Sequence, residues 1–235
     1  MLITVITVTY NAKEALQTTI DNVLAQDYAD VEYIVVDGAS TDGSQDLIRS
    51  YGLRITQWVS EKDGGIYDAM NKGVRMASGE YCIFMNAGDT FADTTTVSRF
   101  ADAVKTDKAD VVYGDVIKQG AIKKALSPRN CHKMYYCHQC VFTRRECLLE
   151  FPFDIRHRMS ADFKQSKQLY LAGKSFLQLD FPVAVFDTNG VSNTRRSVGL
   201  YDNISIISEV DSLSDKLRLL PRLYATYFMC RLRGK

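Results

Sequence analysis

The 235-residue sequence predicts an α/β protein: a mainly parallel sheet flanked by helices, then a less regular region and a basic helical tail. Three observations carry this prediction. Through residue 115, short β-rich runs alternate with stretches of helical period, the pattern of strands joined by helical crossovers. Polar residues close the successive runs, at Thr9-Tyr10-Asn11, Asp37, Asp63 and Asn86 to Asp89. The composition is globular, with 46% hydrophobic and 24% charged residues. A chain of this size buries ~70% of its unfolded surface, so it needs neither disulfides nor metal to hold a core.

Residues 2–8 form an apolar run broken only by Thr, as expected of a strand buried on both faces. Residues 12–26 carry Ala15, Leu16, Ile20, Val23 and Leu24 on one helical stripe. Residues 31–36 are the second strand and end on Asp37; Asp42 is placed to cap the next helix, with Gln45 in capping-box position. A third strand at 55–59 precedes a helix at 66–77, where Ile66, Met70 and Val74 repeat every four residues and Gly79 closes the turn. A strand at 81–85, a helix at about 94–105 and a strand at 111–113 complete the alternation. Beyond it, Gln119-Gly120 predicts a hairpin, 161–172 a helix ending at Gly173, and 175–179 and 183–187 two strands.

Charge and hydropathy narrow the function. Lys and Arg exceed Asp and Glu by 29 to 28, so no global basic field points to nucleic acid. No apolar run approaches the ~20 residues that cross a bilayer. The amino terminus enters a strand pattern without a basic lead-in, which argues against a signal peptide and for the cytosol. The six cysteines include one CxxC, Cys137 to Cys140, without a partner pair at zinc-ribbon or finger spacing, so reduced thiols are expected. The tail at 212–235 is different: six basic residues face Asp215 alone and interleave with Leu, Tyr and Phe. That pattern reads as an anchor on a membrane surface, or as a helix packed on the body with its charges in water.

A parallel sheet binds ligands at the carboxyl ends of its strands, where the polar turns lie. Neither GxxxxGK[ST] nor GxGxxG follows the first strand, so phosphates are not held by a glycine-rich loop. An Asp at a strand end accepts an imide N–H, Tyr10 can stack on a base, and a divalent cation on the carboxylate of Asp89 can neutralise phosphate.

The segments TVITVTYN, VVDGASTDGS, EKDGGIYDAMNKGVRMASGEY and FMNAGD resemble the nucleotide-sugar half of the family-2 inverting glycosyltransferases with the GT-A fold, over about residues 2–115. Weaker similarity, to small bacterial members that build surface polysaccharides, continues at His138-Gln139, Ser160-Ala161-Asp162-Phe163 and Asn189-Gly190-Val191-Ser192. The resemblance implies one domain over 1–211, with a donor half to 115 and an acceptor half beyond it. It implies a nucleotide-sugar donor, UDP by default, bound by Thr9, Tyr10, Asn11, Asp37, Asp63, Asn71 and Asn86. It implies Mn2+ or Mg2+ on Asp89, the general base at Asp162, and a saccharide acceptor, lipid-linked, against His138 and Gln139. The enzyme is then expected on the inner face of the cell membrane, bound peripherally through the tail. The sequence departs from the family's D-x-D-D form, with Asn86 first and Gly88 third, so only the last carboxylate remains. Asp154 is the alternative base, and His157 reads as a surface or loop residue. A sugar-nucleotide nucleotidyltransferase and a non-catalytic sugar-nucleotide-binding protein are the competing classes; the first lacks its Gly-rich basic loop here, and Asp89 with Asp162 argues against the second.

Overall fold

The computed structural model describes residues 1–186 and 196–232, so Asn189 to Ser192 lie outside the described residues. The first half runs β1 (Ile3–Thr9), α1 (Lys13–Leu24), β2 (Val31–Asp37), α2 (Ser44–Ser50), β3 (Gln57–Ser60), α3 (Ile66–Met76), β4 (Tyr81–Phe84), β5 (Thr90–Phe91) and α4 (Thr96–Thr106). The second runs β6 (Val111–Lys118), β7 (Ala121–Lys123), β8 (Val141–Arg144), α5 (Arg145–Glu150), α6 (Ala161–Leu171), β9 (Phe176–Val185), α7 (Arg196–Val210) and α8 (Leu213–Leu232). Among the described residues the strands form one nine-stranded sheet, in the order β3-β2-β1-β4-β8-β6-β9-β5, with β7 on β6. Residue 115, where the sequence loses its regular alternation, falls inside β6.

β1 is buried along its whole length because it has a parallel neighbour on each side and helices on both faces. Its pleat divides its side chains between two cores. Ile3 and Val5 pack with Tyr33, Val35 and Ile83 under Leu16, Ile20, Ile48 and Phe100 of α1, α2 and α4. Ile6 and Val8 pack with Ile34, Val36 and Phe84 under Tyr67, Met70 and Val74 of α3. Two of the three threonines within β1 are satisfied in place: Thr4 donates to the buried Glu32 carboxylate, and Thr7 donates to the Met85 carbonyl at 2.7 Å.

The parallel pairing inferred from the alternation holds for β3-β2-β1-β4 and for β6-β9. β8 lies antiparallel between β4 and β6, and β5 and β7 also pair antiparallel, so the whole sheet is mixed. β8 reaches the centre of the sheet from irregular chain, and no crossover helix fixes its direction. The two strands expected at 175–179 and 183–187 are one strand, β9; the break expected between them is a register irregularity against β6 around Tyr113 and Asp115. The Gln119-Gly120 hairpin forms, with both residues at positive φ between the paired Lys118 and Ala121.

Two local devices differ from expectation. Gly79 does not end α3 in a left-handed turn; a Cβ there would lie 2.7 Å from the Thr4 amide nitrogen, so the glycine lets two backbones approach. Asp42 caps two helices, accepting from the Lys13 amide at 2.9 Å and the Ser44 amide at 3.0 Å. Gln45 does not complete a capping box, because its amide donates to the Ser40 carbonyl instead. No disulfide forms among the described residues.

The tail is the helix α8, and one side of it packs on the body. Leu219 and Leu223 are buried against Ile204, Ile207 and Phe163 of α7 and α6. A buried ion pair joins the same elements: Lys167 of α6 lies 2.9 Å from Asp211, between α7 and α8.

Candidate active site

The turns that end β1 and β4, the entry to α3 and the segment before α6 enclose a cavity of about 490 Å3. Its position follows from the topology: β1 connects to β2 on one side while β4 lies on the other, and a crevice opens where the connections diverge.

Thr9 and Tyr10 line it from the end of β1. The Thr9 hydroxyl is buried without a hydrogen-bond partner among the described residues, whereas Tyr10 is exposed. Asp63 lines it ahead of α3 and accepts from the Gly65 amide at 2.9 Å. Its carboxylate passes over Gly38, where a Cβ would lie 2.8 Å from the Asp63 Oδ2, so a side chain there would displace the carboxylate. Asn86 and Asp89 line it from the turn after β4. Thr19 of α1 braces this turn, accepting from the Gly88 amide at 2.9 Å and donating to the Asp89 carbonyl at 2.8 Å. Asp89 is buried, and the Asn86 Oδ1 is a buried acceptor with no hydrogen-bond partner among the described residues. One carboxylate beside an unsatisfied amide oxygen is a set of hard oxygen donors that fits Mg2+ or Mn2+.

Three residues assigned to the donor lie outside the cavity wall and hold its loops. Asn11, at φ 47°, accepts from the Thr41 amide at 2.9 Å. Asp37 is fully buried and accepts from the Ser60 hydroxyl at 2.6 Å, from the Ser40 amide at 3.0 Å and from the Ser40 hydroxyl. Asn71 exchanges two hydrogen bonds with the Phe153 backbone, at 2.8 and 3.0 Å. Of the two residues assigned to the acceptor, Gln139 is in the wall, with its Oε1 held by the Cys137 thiol at 3.0 Å. His138 is not in the wall; its ring stacks on Phe84 and meets Phe153 edge-on, and burial pushes its imidazole below the ordinary value against the opposing charge of Asp162.

Asp162 sits in the first turn of α6. Its Oδ1 accepts from the Tyr67 hydroxyl and from the Phe163 amide, both at 2.9 Å, while Oδ2 accepts no bond from the described residues. Tyr67 lines the cavity and thereby joins the carboxylate to it. Burial first, and then the charge of Asp162, push the Tyr67 phenol well above its ordinary value, so it is a neutral donor at neutral pH. Sequence reasoning missed Tyr67, although it lies in the quoted segment immediately after Asp63-Gly64-Gly65-Ile66.

The alternative base, Asp154, is locked. It bonds the Arg156 guanidinium at 2.6 to 3.1 Å and the Lys164 ammonium at 2.7 Å, which hold its carboxyl far below the usual range. His157 is not a surface residue: it is buried, with its ring 3.3 Å from Glu209. Asp154, His157 and Glu209 present their ligand atoms within 4.8 Å of one another. Lys164 and Arg156 already neutralise both carboxylates, so the cluster is an ion-pair clamp between the loop before α6 and α7.

Comparison with known proteins agrees with this geometry. The family model "Glycosyl transferase family 2" matches residues 4–167. A PGL/p-HBAD biosynthesis glycosyltransferase of Mycobacterium tuberculosis is 30% identical over 176 residues, 69% of this chain and 67% of the relative. The putative teichuronic acid biosynthesis glycosyltransferase TuaG of Bacillus subtilis is 36% identical over 91 residues, 37% of this chain and 36% of the relative. Among solved structures, S. aureus TarS residues 1–349 in complex with UDP-GlcNAc superposes with a TM-score of 0.72 at 17% identity, over 97% of this chain and 72% of that one. The mannosyltransferase PcManGT from Pyrobaculum calidifontis, in complex with GDP-Man and Mn2+, gives 0.70 at 20% identity, over 96% of this chain and 69% of that one. At those identities the likeness establishes the shared fold. The family match takes in every strand-end turn that builds the cavity, and with them Asp162; this chain is a glycosyltransferase and belongs to glycosyl transferase family 2.

Proposed function

We propose that this chain transfers one sugar, with inversion, from a nucleotide-sugar donor, UDP-linked by preference, to a lipid-linked saccharide in bacterial surface-polysaccharide assembly. The names of the mycobacterial and Bacillus relatives and the UDP-GlcNAc complex of TarS support the substrate class. One observation carries the mechanism: Asp162 has one oxygen tied by Tyr67 and the Phe163 amide and the other without a partner among the described residues, and Tyr67 lines the cavity that holds Asp89. The acceptor hydroxyl gives its proton to the Asp162 Oδ2 as it attacks the anomeric carbon opposite the leaving diphosphate. Tyr67 fixes the carboxylate's direction. Tyr10 offers its exposed ring to the base, with Thr9 and Asp63 beside it, while Asn11, Asp37 and Asn71 keep the donor loops in place and Gln139 with His138 backs the acceptor side. Asp89 with Asn86 would hold a Mn2+ or Mg2+ ion, which when bound offsets charge on the diphosphate.

Asp89→Asn tests the donor side. The variant loses most of the gain in UDP affinity that Mn2+ gives the wild type, because a neutral amide is a poorer ligand for a hard cation. Calorimetry with and without Mn2+ reads it; an undiminished Mn2+ effect would remove Asp89 from the metal site.

The same proposal puts α8 on a membrane surface. No helix among the described residues is long and apolar enough to cross a membrane. Leu213, Leu217, Tyr224, Phe228 and Leu232 are exposed, and their spacing gathers them on one side of α8, away from the buried Leu219, Leu223 and Cys230. Arg222 and Lys216 flank that stripe, and each basic residue near an anionic surface contributes about 1 kcal/mol. Replacing Leu217, Arg222 and Phe228 together by Gln abolishes flotation with anionic vesicles at low salt and leaves the melting temperature unchanged. Equal flotation of variant and wild type would reduce α8 to a structural helix.

A further inference from the structure

Arg158 is the basic residue in a cavity wall whose other charged groups, among the described residues, are the carboxylates of Asp63 and Asp89. It is exposed and makes no hydrogen bond or ion pair with the described residues. Its neighbours behave otherwise. Arg156 pairs with Asp154 and Glu209, Lys164 with the same two carboxylates, and Lys167 with Asp211. The segment that carries Arg158 is also fixed on both sides: His157 is buried against Glu209, and the Met159 amide donates to Asp202 at 2.9 Å. The backbone that carries this guanidinium is therefore ordered before a ligand binds, and only the side chain remains to be fixed.

Charge arithmetic identifies its ligand. In formal charge Asp63 and Asp89 balance one divalent ion in this cavity, so among the described residues of the wall Arg158 is the group that adds net positive charge for a diphosphate beyond that ion. No glycine-rich phosphate loop follows β1, and the turn after β4 supplies one carboxylate where the family's usual form supplies more. We propose that Arg158 binds the diphosphate of the nucleotide and supplies positive charge beside the Asn86–Asp89 turn, which keeps a single carboxylate for a metal ion. This rests on the donor reading above and adds a residue to it. The planar fork suits two phosphate oxygens at once.

The test uses the full chain and calorimetry with UDP and uridine, each in EDTA and in Mn2+. Wild type prefers UDP to uridine in EDTA as well as in Mn2+. Arg158→Ala loses UDP affinity by about tenfold or more in both conditions and binds uridine as wild type does. Arg158→Lys falls between the two, since it keeps the charge and loses the fork. Because the side chain has no partner among the described residues, the melting temperature of both variants stays at the wild-type value. Arg158→Ala that binds UDP like wild type overturns the assignment alone. Wild-type protein that binds none of UDP, GDP and dTDP overturns the donor reading, and Arg158's part in it.

Discussion

Asp162→Asn lowers sugar transfer by ~10²–10⁴-fold, the usual contribution of a positioned general base, and leaves nucleoside diphosphate affinity at the wild-type level. The amide keeps the shape of the carboxylate and can still accept from Tyr67 and the Phe163 amide, but it cannot take a proton. Loss of rate without loss of donor affinity is the signature, read by initial rates on a saccharide acceptor beside calorimetry with UDP and Mn2+. Tyr67→Phe costs less, about tenfold, because it frees the carboxylate to rotate without removing it. Turnover of Asp162→Asn near the wild-type value would move the base elsewhere. Asp154 is then a poor substitute, since two cations hold its carboxyl as a salt.

Lys167→Met destabilises the fold by about 3–5 kcal/mol, the cost of leaving one member of a buried pair uncompensated. The pair is deeply placed: the Lys167 side chain is 4% exposed and the Asp211 side chain 0%. Asn130 bridges them, donating to Asp211 at 2.7 Å and accepting from Lys167, and the Cys131 carbonyl also accepts from Lys167 at 3.3 Å. A melting temperature lower by roughly 10 °C, or the matching fall in the urea midpoint, is expected for a chain of this size. Adding Asp211→Asn to Lys167→Met restores part of the loss, because the stranded group is then neutral. A single variant within about 1 kcal/mol of wild type would mean that water reaches Asp211 and the pair contributes little.

Residues 1–115 were legible in the sequence because their signals are local. A strand buried on both faces shows as a continuous apolar run, a helix as a stripe of period 3.6, and a strand end as a polar turn. Thr9, Tyr10, Asp63, Asn86 and Asp89 were found in that way, and the structure brings all five to one cavity. The resemblance added Asp162, which no local pattern separates from other acidic residues at helix starts.

What the sequence left open was decided by partners far along the chain. Asn71 meets Phe153, 82 residues away, and Tyr67 meets Asp162, 95 residues away. The direction of β8 depends on which strands it reaches, and the single strand β9 on its pairing with β6. His157 and Asp154 look like loop residues until Glu209 and Lys164 close around them. Arg158 looks like its neighbour Arg156 in sequence, yet among the described residues one is paired and the other is not. Periodicity records which face of an element is buried, and so it marked most of the strands and helices of residues 1–115 and left β5, β8 and the unity of β9 unread. Which polar side chain closes on which other depends on how those elements pack, and that distance-dependent pairing is written only in the tertiary structure.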